Sequence, residues 1–276
     1  MPSRLNLNKN YSFNKSKIMK KKVSIVVCVF NEEETIEYVL QTCHDMNRDA
    51  EIVVVDDGSD DKTPEILSEQ EKKIPLHLVT LPENQGKSNA MAEGAEHASN
   101  EIILFFDADV TGIKKEHFER LLNPLTEEEP EADMVLGSPS ETLINYRVNP
   151  FRNLTGERAL FKEDFLPMLD QIRDIRFGVE TYINLYYQAH GKKIKYTILE
   201  GLTHPTKYKK TTVGQATMEF IVEGGQIADV LLKNYDLILK RIGTSMEERG
   251  DAVKESYKKL QEELNERIQL LLRNNG

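Results

Sequence analysis

Four runs of apolar residues punctuate the first 110 positions, and each stops at polar or acidic residues. They are Val23–Phe30 (VSIVVCVF), Ile52–Val55 (IVVV), Leu76–Val79 (LHLV) and Ile102–Phe106 (IILFF). Unbroken apolar runs rich in Val, Ile and Phe read as strands buried on both faces. Helical patterns lie between them. Ile36, Val39, Leu40 and Cys43 fall on one face, with Asn31 as N-cap and Glu32, Glu33 and Glu34 in the first turn. Thr63 reads as the cap of a second helix, with Pro64 at its first position. Asn84 to Ala98 opens a third helix of small residues. The alternation β-α-β-α-β-α-β predicts a parallel sheet with helices on both faces.

Beyond position 110 the alternation loosens. Glu116–Leu122 reads as a helix and Pro124–Pro130 as an acidic loop. Met134–Ser138 reads as a strand, and Phe151–Leu169 as a helix-rich stretch broken at Gly156 and Pro167. Arg176–Glu180 forms a turn into a helix carrying Ile183, Leu185, Tyr186 and Tyr187. Lys193–Leu199 is a strand, and Gly201–Lys210 a polar loop holding His204. From Gln215 onward only helix is expected, with breaks near Gly243 and Gly250. Val253, Tyr257, Leu260, Leu264, Ile268 and Leu271 make a one-sided stripe, fit to pack on the domain or on a second subunit as a homodimer. The expected division is 1–22 as a basic tail, 23–214 as an α/β domain with halves at 23–110 and 111–214, and 215–276 as a helical extension.

Composition narrows the partners. The 276 residues are 39% hydrophobic and 30% charged, as in a globular protein, and the formal net charge of −10 argues against a nucleic-acid partner. No window carries the roughly 18–20 apolar residues of a membrane span. Residues 1–22 hold seven Lys/Arg and no acid, which leaves peripheral contact with an anionic membrane face open beside a cytoplasmic location. The two cysteines, Cys28 and Cys43, lie in apolar patterns and read as reduced packing residues.

The chemistry concentrates where strands end. The fourth run leads directly into Asp107-Ala108-Asp109. In an open α/β sheet ligands sit at the carboxyl ends of the strands. An Asp-x-Asp there can place oxygens on a hard divalent cation that clamps a diphosphate, or it can form a solvated turn. The second run ends in Asp56-Asp57-Gly58, either a ligand-facing acid pair or an Asx turn. Gly86-Lys87-Ser88 matches only the tail of a phosphate loop, and no Gly-x-Gly-x-x-Gly turn is present.

VSIVVCVFNEEETI, EIVVVDDGSDDKT, NQGKSNAMAEG and ILFFDADV, in this order, resemble the nucleotide-sugar half of family-2 glycosyltransferases. The resemblance implies the glycosyltransferase-A fold: a Rossmann-like, mostly parallel α/β sheet with helices on both faces, here with a C-terminal helical extension. It implies a metal-dependent transferase that moves a sugar from a UDP- or GDP-linked donor to an acceptor hydroxyl or phosphate. Phe30, Asn31, Glu32, Asp56, Asp57, Lys87, Asp107 and Ala108 would bind the donor. Asp109, Asp107 and His204 would hold Mg2+ or Mn2+, a histidine favouring Mn2+ slightly. Asp109 and Glu180 would be catalytic, Glu180 either as a base or as a contact to acceptor hydroxyls.

Thr155, Gly156 and Arg158, in a segment similar to the family's acceptor side, would hold a small anionic or lipid-phosphate acceptor. FGVE at 177–180 is similar to relatives acting on phosphoglycerate and on polyprenyl phosphates. Two rivals stand beside this reading. One is a nucleotidyltransferase of similar fold, disfavoured by Glu32–Glu34 where a triphosphate would lie. The other is a non-enzymatic oligomeric binding protein built on the C-terminal stripe.

Overall fold

The computed structural model describes residues 21–140, 156–175, 178–204 and 227–246, with single positions at 225, 258 and 262. The sheet strands are β1 (Val23–Val29), β2 (Glu51–Asp56), β3 (His77–Thr80), β4 (Ile102–Phe105), β5 (Met134–Pro139), β6 (Arg158–Phe161) and β7 (Ile194–Leu199). Their spatial order is β3-β2-β1-β4-β6-β5-β7. The first four are mutually parallel, and Val26 lies beside both Val53 and Phe105. β6 runs antiparallel between β4 and β5, and β7 pairs in parallel with β5. The carboxyl ends of β1, β2, β4 and β7 and the amino end of β6 therefore share one edge.

The helices are α1 (Ile36–Met46), α2 (Thr63–Glu71), α3 (Lys87–His97), α4 (Lys115–Thr126), α5 (Lys162–Phe165), α6 (Leu169–Arg173), α7 (Val179–Ala189) and α8 (Tyr235–Met246), with a 3-10 turn at Leu166–Met168. Strand alternation sorts them into two layers. Ile25, Val27 and Val29 of β1 pack with the buried residues of α1, α2 and α4, whereas Val26 packs with α3, α6 and α7. Phe106 stacks on Phe118 of α4 with ring centroids 5.3 Å apart, and Phe105 meets Phe165 at 5.1 Å. α8 packs on α7.

The parallel half follows the apolar runs closely, but several local expectations need correction. Part of the helix-rich stretch at 151–169 is a strand. β6 lies inside the sheet between β4 and β5, because a segment as short as Arg158–Phe161 takes its state from the strands it pairs with. α4 runs through Pro124 rather than ending before it. The ring is buried with Phe118, Leu121 and Leu125 on the core face, which offsets one missing hydrogen bond in the last turn.

α8 passes through Gly243 without a break. One glycine weakens a helix by only about 1 kcal/mol, too little to end one that rests on α7. The interruption falls at Asn234, whose side-chain amide donates to the Val230 carbonyl. The stripe from Val253 to Leu271 and the expected break at Gly250 fall outside the described residues, Lys258 and Glu262 excepted.

Helix α1 begins at Ile36 rather than after Asn31, and the Thr63 side chain does not cap α2. Both residues instead tie two loops together. The Asn31 amide N–H donates to Ser59 Oγ (3.0 Å) and its Nδ2 to Asp60 Oδ1 (2.7 Å), while Glu32 N–H donates to Thr63 Oγ1 (2.9 Å). Asp61 Oδ1 accepts the Thr63 N–H at 2.8 Å in place of the expected cap.

Helix α3 lies so close to the sheet that a Cβ on Gly94 would fall 2.3 Å from Val26 Cγ1. Gly94→Val is expected to destabilise the fold by about 1–3 kcal/mol through overpacking. Urea unfolding at unchanged m-value checks this, and a wild-type midpoint would show that the helix can lift away.

Candidate active site at the carboxyl edge of the sheet

The shared edge opens into a cleft of about 520 Å3. Phe30, Glu32, Asp57, Lys87, Asp107, Ala108 and Asp109, all expected from the sequence, line it together with Cys28 and Gln85. Phe30 is 41% exposed and offers an aromatic face at the rim. Asp57 takes the Gln85 and Gly86 N–H groups on its two oxygens, both at 2.8 Å, and so fixes the loop that starts α3. Burial raises the Asp57 carboxyl above its usual range, against the pull of those two donors. Burial likewise pushes the Cys28 thiol up to about 12, so it stays a thiol at neutral pH.

Lys87, the first residue of α3, sits where a cation opposes the helix dipole. Its compensation is direct: Nζ lies 2.9 Å from Asp107 Oδ1 and 3.1 Å from Glu180 Oε1. Burial would lower the ammonium, but the two carboxylates outweigh it and hold the lysine well above its ordinary value. Glu180 shows the converse. Burial favours its neutral form, yet Lys87 and then Arg158 keep it below the usual glutamate range. This bridge joins β4 and α3 to α7 across the cleft. Gly178, with φ of 80°, turns the chain into α7 so that Glu180 faces inward.

A second group lies beside the first. His204 Nδ1 is 2.9 Å from Asp109 Oδ1, and its Nε2 is 3.8 Å from Glu157 Oε1. Burial would depress the imidazole, but Asp109, then Glu157, raise it above its ordinary value. One ligand atom each from Asp107, Glu157 and His204 lies within 4.8 Å of the others. That spacing and the mixed oxygen and nitrogen set fit Mg2+ or Mn2+, with the histidine leaning toward Mn2+. Gly156 lets the amino end of β6 close on this point, since a Cβ there would stand 2.1 Å from both Asp107 oxygens.

Other expected residues lie elsewhere. Asn31, at φ of 55°, is turned toward Ser59 and Asp60. Asp56 is buried and accepts the Ser59 N–H at 3.0 Å, an Asx-type turn instead of a wall of the cleft. Arg158 is fully buried in β6, so the forked contact expected between it and an acceptor is not open to solvent here. Its burial lowers the guanidinium, while Glu180 and Asp107 oppose that. Thr155 falls outside the described residues. Glu157, wholly buried beside His204, is the residue that sequence reasoning missed. No local signal marks it, because Glu157 precedes Arg158 and becomes part of the site only when β6 pairs between β4 and β5.

A mostly parallel α/β sheet with a charged cleft at its strand ends is the architecture of a ligand-binding α/β protein. The chain belongs to glycosyl transferase family 2, which matches residues 24–200. An undecaprenyl-phosphate 4-deoxy-4-formamido-L-arabinose transferase of Photorhabdus laumondii is 34% identical over 96 residues, 33% of this chain and 30% of that protein. The alignment thus spans about 30% of that relative's length. The transferase of the same description from Yersinia enterocolitica is 27% identical over 226 residues, 79% of this chain and 67% of that one.

Glucosyl-3-phosphoglycerate synthase from Mycobacterium tuberculosis, solved with Mn2+, UDP and phosphoglyceric acid, superposes with a TM-score of 0.58 at 18% identity, covering 81% of this chain and 79% of that chain. The shared architecture is the glycosyltransferase-A fold. Among the described residues no helix is long and apolar enough to cross a membrane.

The lowered Glu180 value sets a pH dependence. A carboxylate depressed in the fold adds stability above its unfolded value, about 4.3, and loses it as pH falls through the folded one. Wild-type stability is therefore expected to drop more steeply than that of Glu180→Gln between about pH 5 and pH 3. Denaturant unfolding along that series checks it, and parallel curves would show that the pair with Lys87 contributes nothing.

Proposed function

We propose that this protein is a metal-dependent glycosyltransferase that moves a sugar from a UDP- or GDP-linked donor to a phosphate-bearing acceptor. One observation carries the reading: Lys87, Asp107 and Asp109 line one cleft, and Glu180 and His204, from two further segments, reach it by pairing with Lys87 and Asp109. Family membership supplies the reaction class, and the cleft supplies the charge pattern that the reaction needs.

In this reading the base and ribose lie along Phe30, Glu32 and Asp57, and the diphosphate points toward Asp107 and Lys87. Asp109, Asp107, His204 and the added Glu157 would hold Mg2+ or Mn2+. A bound divalent cation would supply Lewis-acid stabilisation of the leaving nucleoside diphosphate. Lys87 adds a second positive charge at the same point, and it can turn from Asp107 toward a phosphate without leaving the cleft.

Glu180 is held ionised by Lys87, which suits orienting an acceptor more than abstracting a proton from a neutral hydroxyl. An acceptor that brings its own anionic oxygen needs no such base. The relatives, an undecaprenyl-phosphate sugar transferase and a synthase solved with phosphoglyceric acid, accord with this class. Arg158 adds a buried positive charge near Glu180, and Gly156 would border the acceptor. Peripheral membrane contact would fall to the basic residues 1–22, of which 1–20 lie outside the described residues.

Calorimetry with a panel of UDP- and GDP-sugars, with and without Mn2+, tests the proposal. Wild type is expected to bind at least one donor in a metal-dependent way. Asp109→Ala should weaken that binding by at least roughly 10–100-fold, the range for losing even an outer partner of a metal ligand. Equal binding by the variant in the presence of metal would remove Asp109 from the site.

A further inference from the structure

The loop after β4 and the loop after β7 carry Asp109 and His204, residues that the proposed function places in the metal site. Ninety-odd positions separate them in sequence, yet the two loops are fastened together in detail. Thr111 and Thr203 form an isolated antiparallel bridge. Thr111 N–H donates to the Thr203 carbonyl at 2.9 Å, and Thr203 N–H donates back at 3.1 Å. Their hydroxyl oxygens also meet at 2.9 Å.

The fastening continues away from the cleft. Lys114 Nζ donates to the Glu200 carbonyl at 3.0 Å, and the His117 ring reaches the same oxygen at 3.1 Å. His117 Nδ1 accepts the Lys114 N–H, so the ring proton sits on Nε2 and is donated to Glu200. Gly112 and Gly201 allow the approach. A Cβ on Gly112 would stand 2.1 Å from the Gly201 carbonyl oxygen, and both glycines hold φ values, +72° and +84°, that side chains rarely adopt. Leu202, wholly buried, anchors the later loop in the core.

We propose that Thr111 and Thr203 are positioning residues: their paired hydroxyls and backbone bridge set the spacing of Asp109 and His204 and so pre-form the metal site. The inference rests on the metal-site reading above. Each threonine is within two residues of a candidate ligand, one before His204 and one two after Asp109. A slip of the bridge by one position would turn the imidazole away from Asp109, because successive residues of extended backbone face opposite sides. The hydroxyl pair opposes that slip, since both groups lie between ordered loops and would lose their partner.

The test measures Mn2+ binding directly, by electron paramagnetic resonance of free Mn2+, with UDP and with GDP present. Thr111→Val keeps shape and backbone but removes the hydroxyl. It is expected to weaken Mn2+ binding about tenfold, as loss of an outer-shell partner does, while Thr111→Ser stays near wild type. The double variant Thr111→Val/Thr203→Val should be no weaker than either single one, because both remove the same contact. Wild-type affinity in Thr111→Val, or additive losses in the double variant, would overturn the positioning role while leaving the metal site intact. A wild-type protein that takes up no Mn2+ would overturn both.

Discussion

An excess of carboxylate over available positive charge organises the carboxyl edge of this sheet. Asp107, Asp109, Glu157 and Glu180 converge there, against Lys87, Arg158 and a histidine that is charged only when protonated. Carboxylates withdrawn from water are costly unless paired, so each cation in reach is engaged. Lys87 takes two acids at once, and in doing so it links β4 to α7. Four carboxylates face two fixed cations and one histidine, so an incoming diphosphate would deepen the negative excess unless it brought positive charge with it.

The fold supplies this edge by topology. Four parallel strands place the ends of β1, β2 and β4 side by side. The antiparallel β6 then delivers its amino end, with Gly156 and Glu157, to the same line. A parallel strand in that position would have delivered its carboxyl end and the short helices α5 and α6 instead. The reversed strand thus lets the second half of the chain contribute side chains to a cleft built mainly by the first. α3 and α7 close the arrangement from one face, and Arg173 holds α6 to α3 through Asn89, Glu93 and Glu96.

Much of this was legible in the chain itself. Strands buried on both faces announce themselves as unbroken apolar runs, and acids at their ends mark the edge where ligands gather. Cys43, Ile36, Val39 and Leu40 fall on the buried side of α1 as their spacing requires. What was not legible depends on pairing across long separations. Arg158–Phe161 has no strand signature strong enough to outweigh its neighbours, and it becomes a strand because β4 and β5 flank it. Glu157 is hidden for the same reason. Asn31 and Thr63 carry capping chemistry, but two adjacent loops claim their hydrogen bonds first. Gly243 would mark a break in an isolated helix, and contact with α7 overrides it.

The claim that the acid cluster is a prepared divalent-cation site is tested most directly by anomalous diffraction from crystals grown with Mn2+ and a UDP- or GDP-sugar. A manganese peak is expected within about 2.5 Å of the His204 ring and of carboxylate oxygens from the Asp107–Asp109 turn, beside the donor diphosphate. A bound donor with no manganese peak there, and Lys87 still bridging Asp107 and Glu180, would contradict it.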